Sequence, residues 1–277
     1  LPSRRKYDLL NYFMLIPPEE RNKVKYVSFD MWETYRIITK HVFPSAICIT
    51  DHFHVIQELN RRVDRVRIRV QNRFRKTINT LKPKENNKTI TPEEIVELEE
   101  ASRYYYVLKK FNWLLASTNK KILDVNVERR FNHRLNRYLN YSEILAYMLA
   151  IDDELEEAFY LRNDVTYFYD HCTYDTAKKQ LEKIIIDFRS SPIAEMSPFA
   201  NTLTNWKREI INSFIIVDDK ANRKMNTAIV ENRNKSIKLL KHASNGYLNW
   251  ERFRNRILYT LNEDTTFYYT SIRKDGK

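Results

Sequence analysis

The chain has 277 residues, a formal net charge of +12 and only two glycines, Gly246 and Gly276. Walker A loops, dinucleotide-binding turns and nucleophile elbows need several glycines close together, so the composition excludes all three and favours a predominantly α fold. The positive charge makes nucleic acid the first partner to expect and an anionic membrane surface the second. No apolar run approaches the ~20 residues that cross a bilayer, and no signal-peptide pattern opens the chain. We therefore expect a cytoplasmic protein with no membrane partner.

The first part of the chain contains two β-rich runs separated by a helical stretch. The runs are Val24–Phe29 and Ala46–Thr50, and the helix is predicted between Glu33 and His41. The first run stops at Asp30 and the second at Asp51. Because strands joined by a helix run parallel, their carboxyl ends meet at the same edge. The two aspartates are therefore predicted to lie close together at this edge, where α/β proteins place their sites.

A single long amphipathic helix is predicted beyond Asp51, with apolar residues at three-four spacing from Ile56 to Leu81. Its other faces set one acid, Asp64, against eight basic residues: Arg61, Arg62, Arg65, Arg67, Arg69, Arg73, Arg75 and Lys76. One interpretation is that the basic faces bind nucleic-acid phosphates. The other is that the apolar seam packs in the core or dimerises like a coiled coil. The excess of basic residues favours nucleic acid. Most of the 18 tyrosines and four tryptophans are expected to lie in the core, and some could stack on bases.

The middle of the chain is predicted to be a series of helices. A loop is expected from Lys82 to Thr91, and the helices then continue to about Ile211. Breaks are expected near residues 120–124, near Asn163 and at 190–198. Acidic residues concentrate in this part, for example at 152–154 and 156–157.

Two further helices are predicted near the carboxyl terminus. The first, from about Asn222 to Leu240, carries one carboxylate in a polar stripe that comprises Thr227, Glu231, Asn234, Lys235, Lys238 and Lys241. The second, from about Leu248 to Leu261, follows a turn that contains Gly246. The last residues, 265–277, are predicted to form a frayed tail.

Two groups of residues are candidates for metal chemistry. Asp30, Asp51 and Glu231 supply the oxygen ligands that hard cations such as Mg²⁺ prefer. The alternative is that each acid merely ends a strand or solvates a helix. His52 and His54, beside Asp51, could ligate a transition metal. The alternative for these histidines is a buried ring that donates to Asp51 or to the backbone.

Several segments, taken in order along essentially the whole chain, resemble the DDE transposases of bacterial insertion sequences. The similarity is to the ISL-three family. It is carried by residues 24–36, by Phe43–Ala46 leading to Asp51–Val55 and Leu59–Asn60, and by residues 230–238, 245–250 and 253–258.

The resemblance implies a truncated ribonuclease H-like core interrupted by a large all-helical insertion. It divides the chain into a partial core with two parallel strands and the long basic helix (1–81), a helical insertion (82–221), carboxyl-terminal core helices (222–264) and a tail (265–277). By position, Asp30 is similar to the second acid of the DDE triad and Glu231 to the third. Asp51 and His54 match a supporting element, (C/D)-x-x-H, beside the triad. The family's first aspartate belongs upstream of Leu1.

The resemblance also implies the cofactor and the partners. In an intact enzyme, Asp30 and Glu231 would hold Mg²⁺ or Mn²⁺ with the first aspartate, whereas this chain alone is expected to bind metal weakly and to cleave little DNA. The expected partners are double-stranded DNA at transposon ends and a second copy of the chain in a homo-oligomer, most simply a dimer. The residues expected to bind DNA are Arg61, Arg62, Arg65, Arg69, Arg73, Lys235, Lys238 and Lys241.

Two alternatives to an insertion-sequence transposase remain open from the sequence. One is a non-catalytic helical module that binds DNA or dimerises through the apolar seam from Ile56 to Leu81. The other is a metal-dependent nuclease unrelated to transposition. The strand at Val24–Phe29 is also expected to have an exposed edge that a partner chain covers.

Overall fold

The computed structural model describes residue 3 and residues 5–218, 223–224 and 228–261, with side chains described for residue 3, 5–216 and 232–261. The chain divides into two compact units, Leu1–Met225 and Asn226–Lys277.

The first unit begins with short helices and a strand–helix–strand segment. The elements are α1 (Lys6–Met14), α2 (Pro18–Asn22), β1 (Tyr26–Phe29), α3 (Glu33–Val42) and β2 (Ile47–Thr50). β1 and β2 pair in parallel, with Tyr26 opposite Ile47 and Phe29 opposite Thr50. The predicted strand–helix–strand order and the parallel pairing are thus confirmed. α1 packs against α3 around a small apolar core of Leu9, Ile38, Val42 and Phe43.

Helices dominate the rest of the first unit. They are α4 (His52–Asn86), α5 (Pro92–Lys110), a 3-10 helix (Asn112–Ala116), α6 (Tyr141–Leu149), α7 (Asp153–His171), α8 (Tyr174–Ser190), α9 (Phe199–Asn205) and α10 (Lys207–Asn212). Two antiparallel hairpins accompany them: β3 (Arg130–Asn132) with β4 (Arg137–Leu139), and β5 (Ile216–Asp218) with β6 (Arg223–Lys224). Within the described ranges, no helix is both long enough and apolar enough to cross a membrane.

The apolar seam of α4 lies at the centre of the main core. Val55, Leu59, Val66 and Val70 have no solvent exposure, and Val63 has 2%. The helix packs against α5 and α7, so the seam is covered within the molecule. The alternative of dimerisation through this seam is therefore wrong, because its apolar surface is already buried.

The predicted loop from Lys82 to Thr91 begins too early. α4 continues to Asn86 with Pro83 inside it. Proline removes one N–H from the helix, and the carbonyl that loses its partner belongs to Asn79, an exposed position where water can replace it. The helix stops where Lys88 takes a left-handed backbone conformation with φ of 56°.

Two other predictions in the middle of the chain are also wrong. α7 runs through Asn163 without a break, because its buried side chains, which include Phe159 and Phe168, pack in the main core and override the weak helix propensity of asparagine. The segment predicted as all-helical contains the β3–β4 hairpin. The Asn132 carboxamide oxygen accepts from the backbone N–H of Arg134, and Asn136 has a left-handed φ of 51°, so these asparagines form the turn.

The second unit contains α11 (Ala228–Ala243) and α12 (Trp250–Leu261). The helix predicted from Asn222 starts later, because residues 223–224 pair in β6. The predicted turn residue Gly246 has φ of +95°, and its N–H donates to the Lys241 carbonyl at 2.9 Å, which ends α11 in the manner of a Schellman motif. The predicted tail, 265–277, lies outside the described residues.

Candidate active site and basic surfaces

The carboxyl ends of β1 and β2 bring two predicted acids to one edge of the sheet. Phe29 and Thr50 are the last paired residues of the two strands, and Asp30 and Asp51 follow them directly. The backbone segments that follow the two strands remain hydrogen-bonded, because the N–H of Asp51 donates to the Phe29 carbonyl at 3.3 Å. The sequence thus placed these two acids at the correct edge.

Asp51 caps the long helix. Its carboxylate accepts from the backbone N–H of Phe53 at 3.1 Å, and the residue is only 2% exposed. The Nδ1 atom of His52 lies 3.5 Å from the same carboxylate. These contacts fix the start of α4 at the sheet edge, so the Asp51 carboxylate serves as a helix cap.

Asp30, in contrast, is open to solvent. Its side chain is 56% exposed, and the Nε2 atom of His54 lies 3.2 Å from Oδ1. His54 is placed there by the first turn of α4, which Asp51 caps. The alternative that His54 donates to Asp51 or to the backbone does not hold, since its partner is Asp30. One oxygen of the Asp30 carboxylate therefore contacts His54, while more than half of the side chain remains exposed to solvent.

Tyr169 also belongs to this edge, although no local pattern in the sequence marks it. It comes from α7, and its ring centroid lies 5.6 Å from that of His52. Burial raises the pKa of the Tyr169 hydroxyl, and the negative charge of Asp51 raises this pKa further. The neutral phenol is thus packed beside the cap, and the helical region helps to fix the edge.

Arg36 attaches α3 to the helical region close to the same edge. Its guanidinium donates to the Asn205 carbonyl at 2.9 Å and lies 3.7 Å from the buried carboxylate of Glu209. It also lies 4.3 Å from the ring centroid of Trp206. Arg36 is in the segment that resembles the transposases, and these contacts give it a positioning role.

The third predicted acid, Glu231, lies on α11 in the second unit, and its side chain is outside those described. Among the described residues, no group of three or more His, Cys, Asp or Glu side chains is arranged to hold a metal ion. Asp30 is a hard oxygen donor that suits Mg²⁺ as a single ligand. The described side chains alone therefore do not form a metal centre, and the joining of Asp30 to Glu231 stays a prediction.

Most of the arginines predicted to bind DNA along α4 have partners inside the molecule. Arg69 donates to Glu195 at 2.7 Å and also to Glu154, and Arg73 pairs with Asp152. The hydrogen bond that Arg69 donates to Glu195 raises the pKa of the arginine and lowers the pKa of the glutamate. The acidic residues of the middle segment thus neutralise much of the basic face of α4.

Arg62 and Arg67 are also held by the fold. Arg62 donates to the Glu195 carbonyl at 2.8 Å, and Arg67 is 6% exposed and donates to the Leu108 carbonyl at 3.0 Å. The basic residues of this helix that remain largely exposed are Arg61, Arg65, Arg73, Arg75 and Lys76. In the second unit, the predicted DNA-binding residues Lys235, Lys238 and Lys241 are all exposed on α11.

Comparison with known proteins agrees with the order of the motifs. A family model described as a transposase, that of the ISL-three (ISL3) group of DDE transposases, matches residues 1–257. The chain is also 24% identical over 253 residues to the transposase for insertion sequence element IS1001 of Bordetella parapertussis. That alignment covers 91% of this chain and 51% of the relative, so the chain spans about half the length of the curated relative it matches. No solved structure matches.

The family model covers far more than half of the chain and includes the sheet edge with Asp30, the cap at Asp51 and the helix that carries Glu231. The chain therefore belongs to the ISL-three family of DDE transposases.

Proposed function

We propose that the chain provides the second and third acids of a DDE centre that cuts and joins DNA during transposition of an insertion sequence. In this proposal β1, α3 and β2 form part of a ribonuclease H-like core, and Asp30 and Glu231 are the metal-binding acids. The observation that carries the proposal is the open Asp30 carboxylate at the carboxyl end of β1, held by His54 at 3.2 Å.

Asp30 and Glu231, together with a further aspartate, would hold Mg²⁺ or Mn²⁺, and the bound metal would supply Lewis-acid activation for attack on a phosphodiester. The residues of this chain orient that centre. His54 holds Oδ1 of Asp30, and Asp51 holds the helix turn that carries His54. His54 is thus proposed as a positioning residue, and Asp30 as a residue that contacts the cofactor.

The DNA of the transposon ends is the proposed substrate, and a homodimer is the proposed assembly. Arg65 on α4 and Lys235, Lys238 and Lys241 on α11 are exposed, which supports contacts to phosphate. Arg61 is also exposed, although its guanidinium lies 3.7 Å from the Glu58 carboxylate. Arg62, Arg69 and Arg73 are less suitable, because carboxylates or carbonyls already accept their hydrogen bonds.

The test is excision of an insertion sequence by a transposase that contains this chain and supplies all three acids of the DDE centre. Asp30→Asn and Glu231→Gln should reduce excision to background, because an amide is a poor ligand for a hard cation. His54→Ala should reduce excision less than Asp30→Asn does. Glu19→Gln changes an exposed acid on α2 and should leave excision unchanged.

Thermal unfolding of each variant separates a lost centre from a lost fold. A folded Asp30→Asn protein that excises at the wild-type frequency contradicts the proposal. Cleavage without any joining of ends would favour the unrelated nuclease instead.

A further inference from the structure

A cleft of about 720 Å³ lies between the end of α5, the β3–β4 hairpin and the start of α6. We name it the hairpin cleft. Its lining is mainly aromatic and basic: Tyr106, Lys110, Phe111, Phe131, Arg134 and Tyr141. None of these residues belongs to the sheet edge that carries Asp30. The volume is in the range of ~300–1,000 Å³ that is usual for sites that enclose a small ligand.

The basic side chains of the hairpin cleft are exposed and are not neutralised by carboxylates. Within the part of the chain that the structure describes, Lys110, Arg130 and Arg134 form no ion pair, and Glu128 is the acid among the lining residues. Lys110 Nζ lies 5.4 Å from the centroid of the Tyr106 ring. The cations can attract phosphate, and the neighbouring aromatic rings can stack on a flat base. The combination suits a ligand that carries both groups.

The hairpin holds the groups of the cleft in place. Phe131 is opposite Tyr138 in the β3–β4 register, and their ring centroids are 5.1 Å apart. The Asn132 side chain accepts from the N–H of Arg134 at 3.1 Å, which fixes the turn from which this arginine projects. Phe131 nevertheless remains 40% exposed, so part of its ring can receive a ligand.

A second cavity continues the first along the surface of α5. Its volume is about 670 Å³, and it shares Tyr106, Lys110 and Arg134 with the hairpin cleft. It adds Lys109 and, from the far end of α4, Arg75. The two cavities form a basic trough with space for more than one nucleotide.

We propose that the hairpin cleft binds unpaired nucleotides of a DNA strand, with bases against the aromatic rings and phosphates against the cations. That the strand belongs to a transposon end rests on the proposed function. In a duplex the base faces are covered by their neighbours, so rings recessed in a cleft can stack only on bases that have left the duplex. The unpaired bases come either from a single-stranded end or from bases flipped out of a duplex, and both present the same chemistry.

The test measures fluorescence anisotropy of the whole chain with labelled DNA of mixed sequence. The probes are a single strand, a blunt duplex, a duplex with a single-stranded overhang and a duplex with a central unpaired bulge. Phe131→Ala should weaken single-strand binding by about fivefold or more, the effect of losing one stacked base. Arg134→Ala should weaken it comparably and reduce its salt dependence.

Two matched controls lie on helices outside the cleft. Tyr160→Ala removes an exposed aromatic ring from α7, and Lys179→Ala removes an exposed cation from α8. Both should leave single-strand binding within twofold of the wild type, and all four variants should unfold cooperatively. Blunt-duplex binding should be unchanged in Phe131→Ala.

If, among the duplex probes, the cleft variants lose affinity only for the overhang probe, the unpaired nucleotides come from a strand end. If they lose affinity only for the bulge probe, the nucleotides are bases flipped out of a duplex. Equal loss for blunt duplex and single strand, no loss in folded Phe131→Ala, or preference for an RNA strand overturns the inference. If the cleft variants bind normally while Asp30→Asn stops excision, the cleft inference fails and the proposed catalytic role stands.

Discussion

Two basic regions of the first unit use their positive charge differently. Along α4, Arg69 and Arg73 are bound by Glu195, Glu154 and Asp152, so their charge joins helices to each other. Around the hairpin cleft, exposed cations lie beside aromatic rings and carboxylates are scarce among the lining residues. Charge in the first region stabilises the fold, and charge in the second remains available to a ligand.

The comparison shows why a count of charges along one helix is a weak guide to function. Residues 61–76 contain eight basic residues and one acid, which favours DNA binding from sequence alone. The neutralising acids come from the 152–154 segment and from Glu195, which are distant in the chain. Tertiary partners decide whether an arginine is available to phosphate.

The largest expected effect concerns the seam that places α4 in the core. Leu59→Ala should lower the free energy of unfolding by about 3 kcal/mol, because it leaves a cavity at a position with no exposure. Ile68 lies on the same helix and is 41% exposed, so Ile68→Ala should change the free energy of unfolding by less than ~0.5 kcal/mol. Denaturant unfolding at several protein concentrations measures both. If the two substitutions destabilise the protein equally, or if the unfolding midpoint of Leu59→Ala rises steeply with protein concentration, the apolar seam would instead form a contact between two copies of the chain.

The next effect concerns the arginines that join helices. Arg69→Ala should lower the free energy of unfolding by about 1 kcal/mol, a value reduced for the partial exposure of the ion pairs. Single-strand affinity should stay within twofold of the wild type. Chemical denaturation and fluorescence anisotropy on the same sample check this. Strong loss of affinity without loss of stability would assign Arg69 to the ligand.

The pH dependence of the same pair gives a smaller effect. The hydrogen bond from Arg69 lowers the pKa of Glu195. The pair therefore makes its full contribution to folding stability at pH values above the ordinary pKa of a glutamate. Its contribution is lost as the pH falls through the lowered pKa. The difference in stability between wild type and Arg69→Ala should therefore narrow below about pH 4. The difference in stability between wild type and Lys179→Ala should not vary with pH. If the difference between wild type and Arg69→Ala grows at low pH, the stabilising role of the Arg69–Glu195 pair is refuted.

The smallest effect is expected for Arg65, which is exposed on α4. Arg65→Ala should change stability by less than ~0.5 kcal/mol. If Arg65 contacts phosphate as proposed, the salt dependence of duplex binding should fall by about one released counterion. Titrations at several salt concentrations measure the slope, and an unchanged slope removes Arg65 from the interface.

The sequence was sufficient wherever the determining interactions are local. The β-rich runs, the helix between them and the seam of α4 follow from periodicity, so Asp30 and Asp51 could be placed at one sheet edge. The Asp30–His54 contact does not follow from spacing, because it requires the turn of α4 to be set against the end of β1.

Long-range packing accounts for the features that local patterns do not predict. Tyr169 reaches the edge from α7 only because α7 packs against α4. The β3–β4 hairpin lies in a stretch with weak periodicity, where Asn132 and Asn136 are the available turn signals. From the sequence, Pro83 predicts the end of a helix. In the structure α4 continues through Pro83, because the proline lies at an exposed position where water can replace the missing hydrogen bond.

The most direct test of the difference between the two basic regions pairs Arg69→Ala with Arg134→Ala and measures unfolding and single-strand binding for both. We predict that Arg69→Ala loses stability and keeps affinity, whereas Arg134→Ala keeps stability and loses about fivefold or more in affinity. If both variants lose affinity equally, or if Arg134→Ala loses only stability, the distinction between fold-stabilising and ligand-binding charge is contradicted.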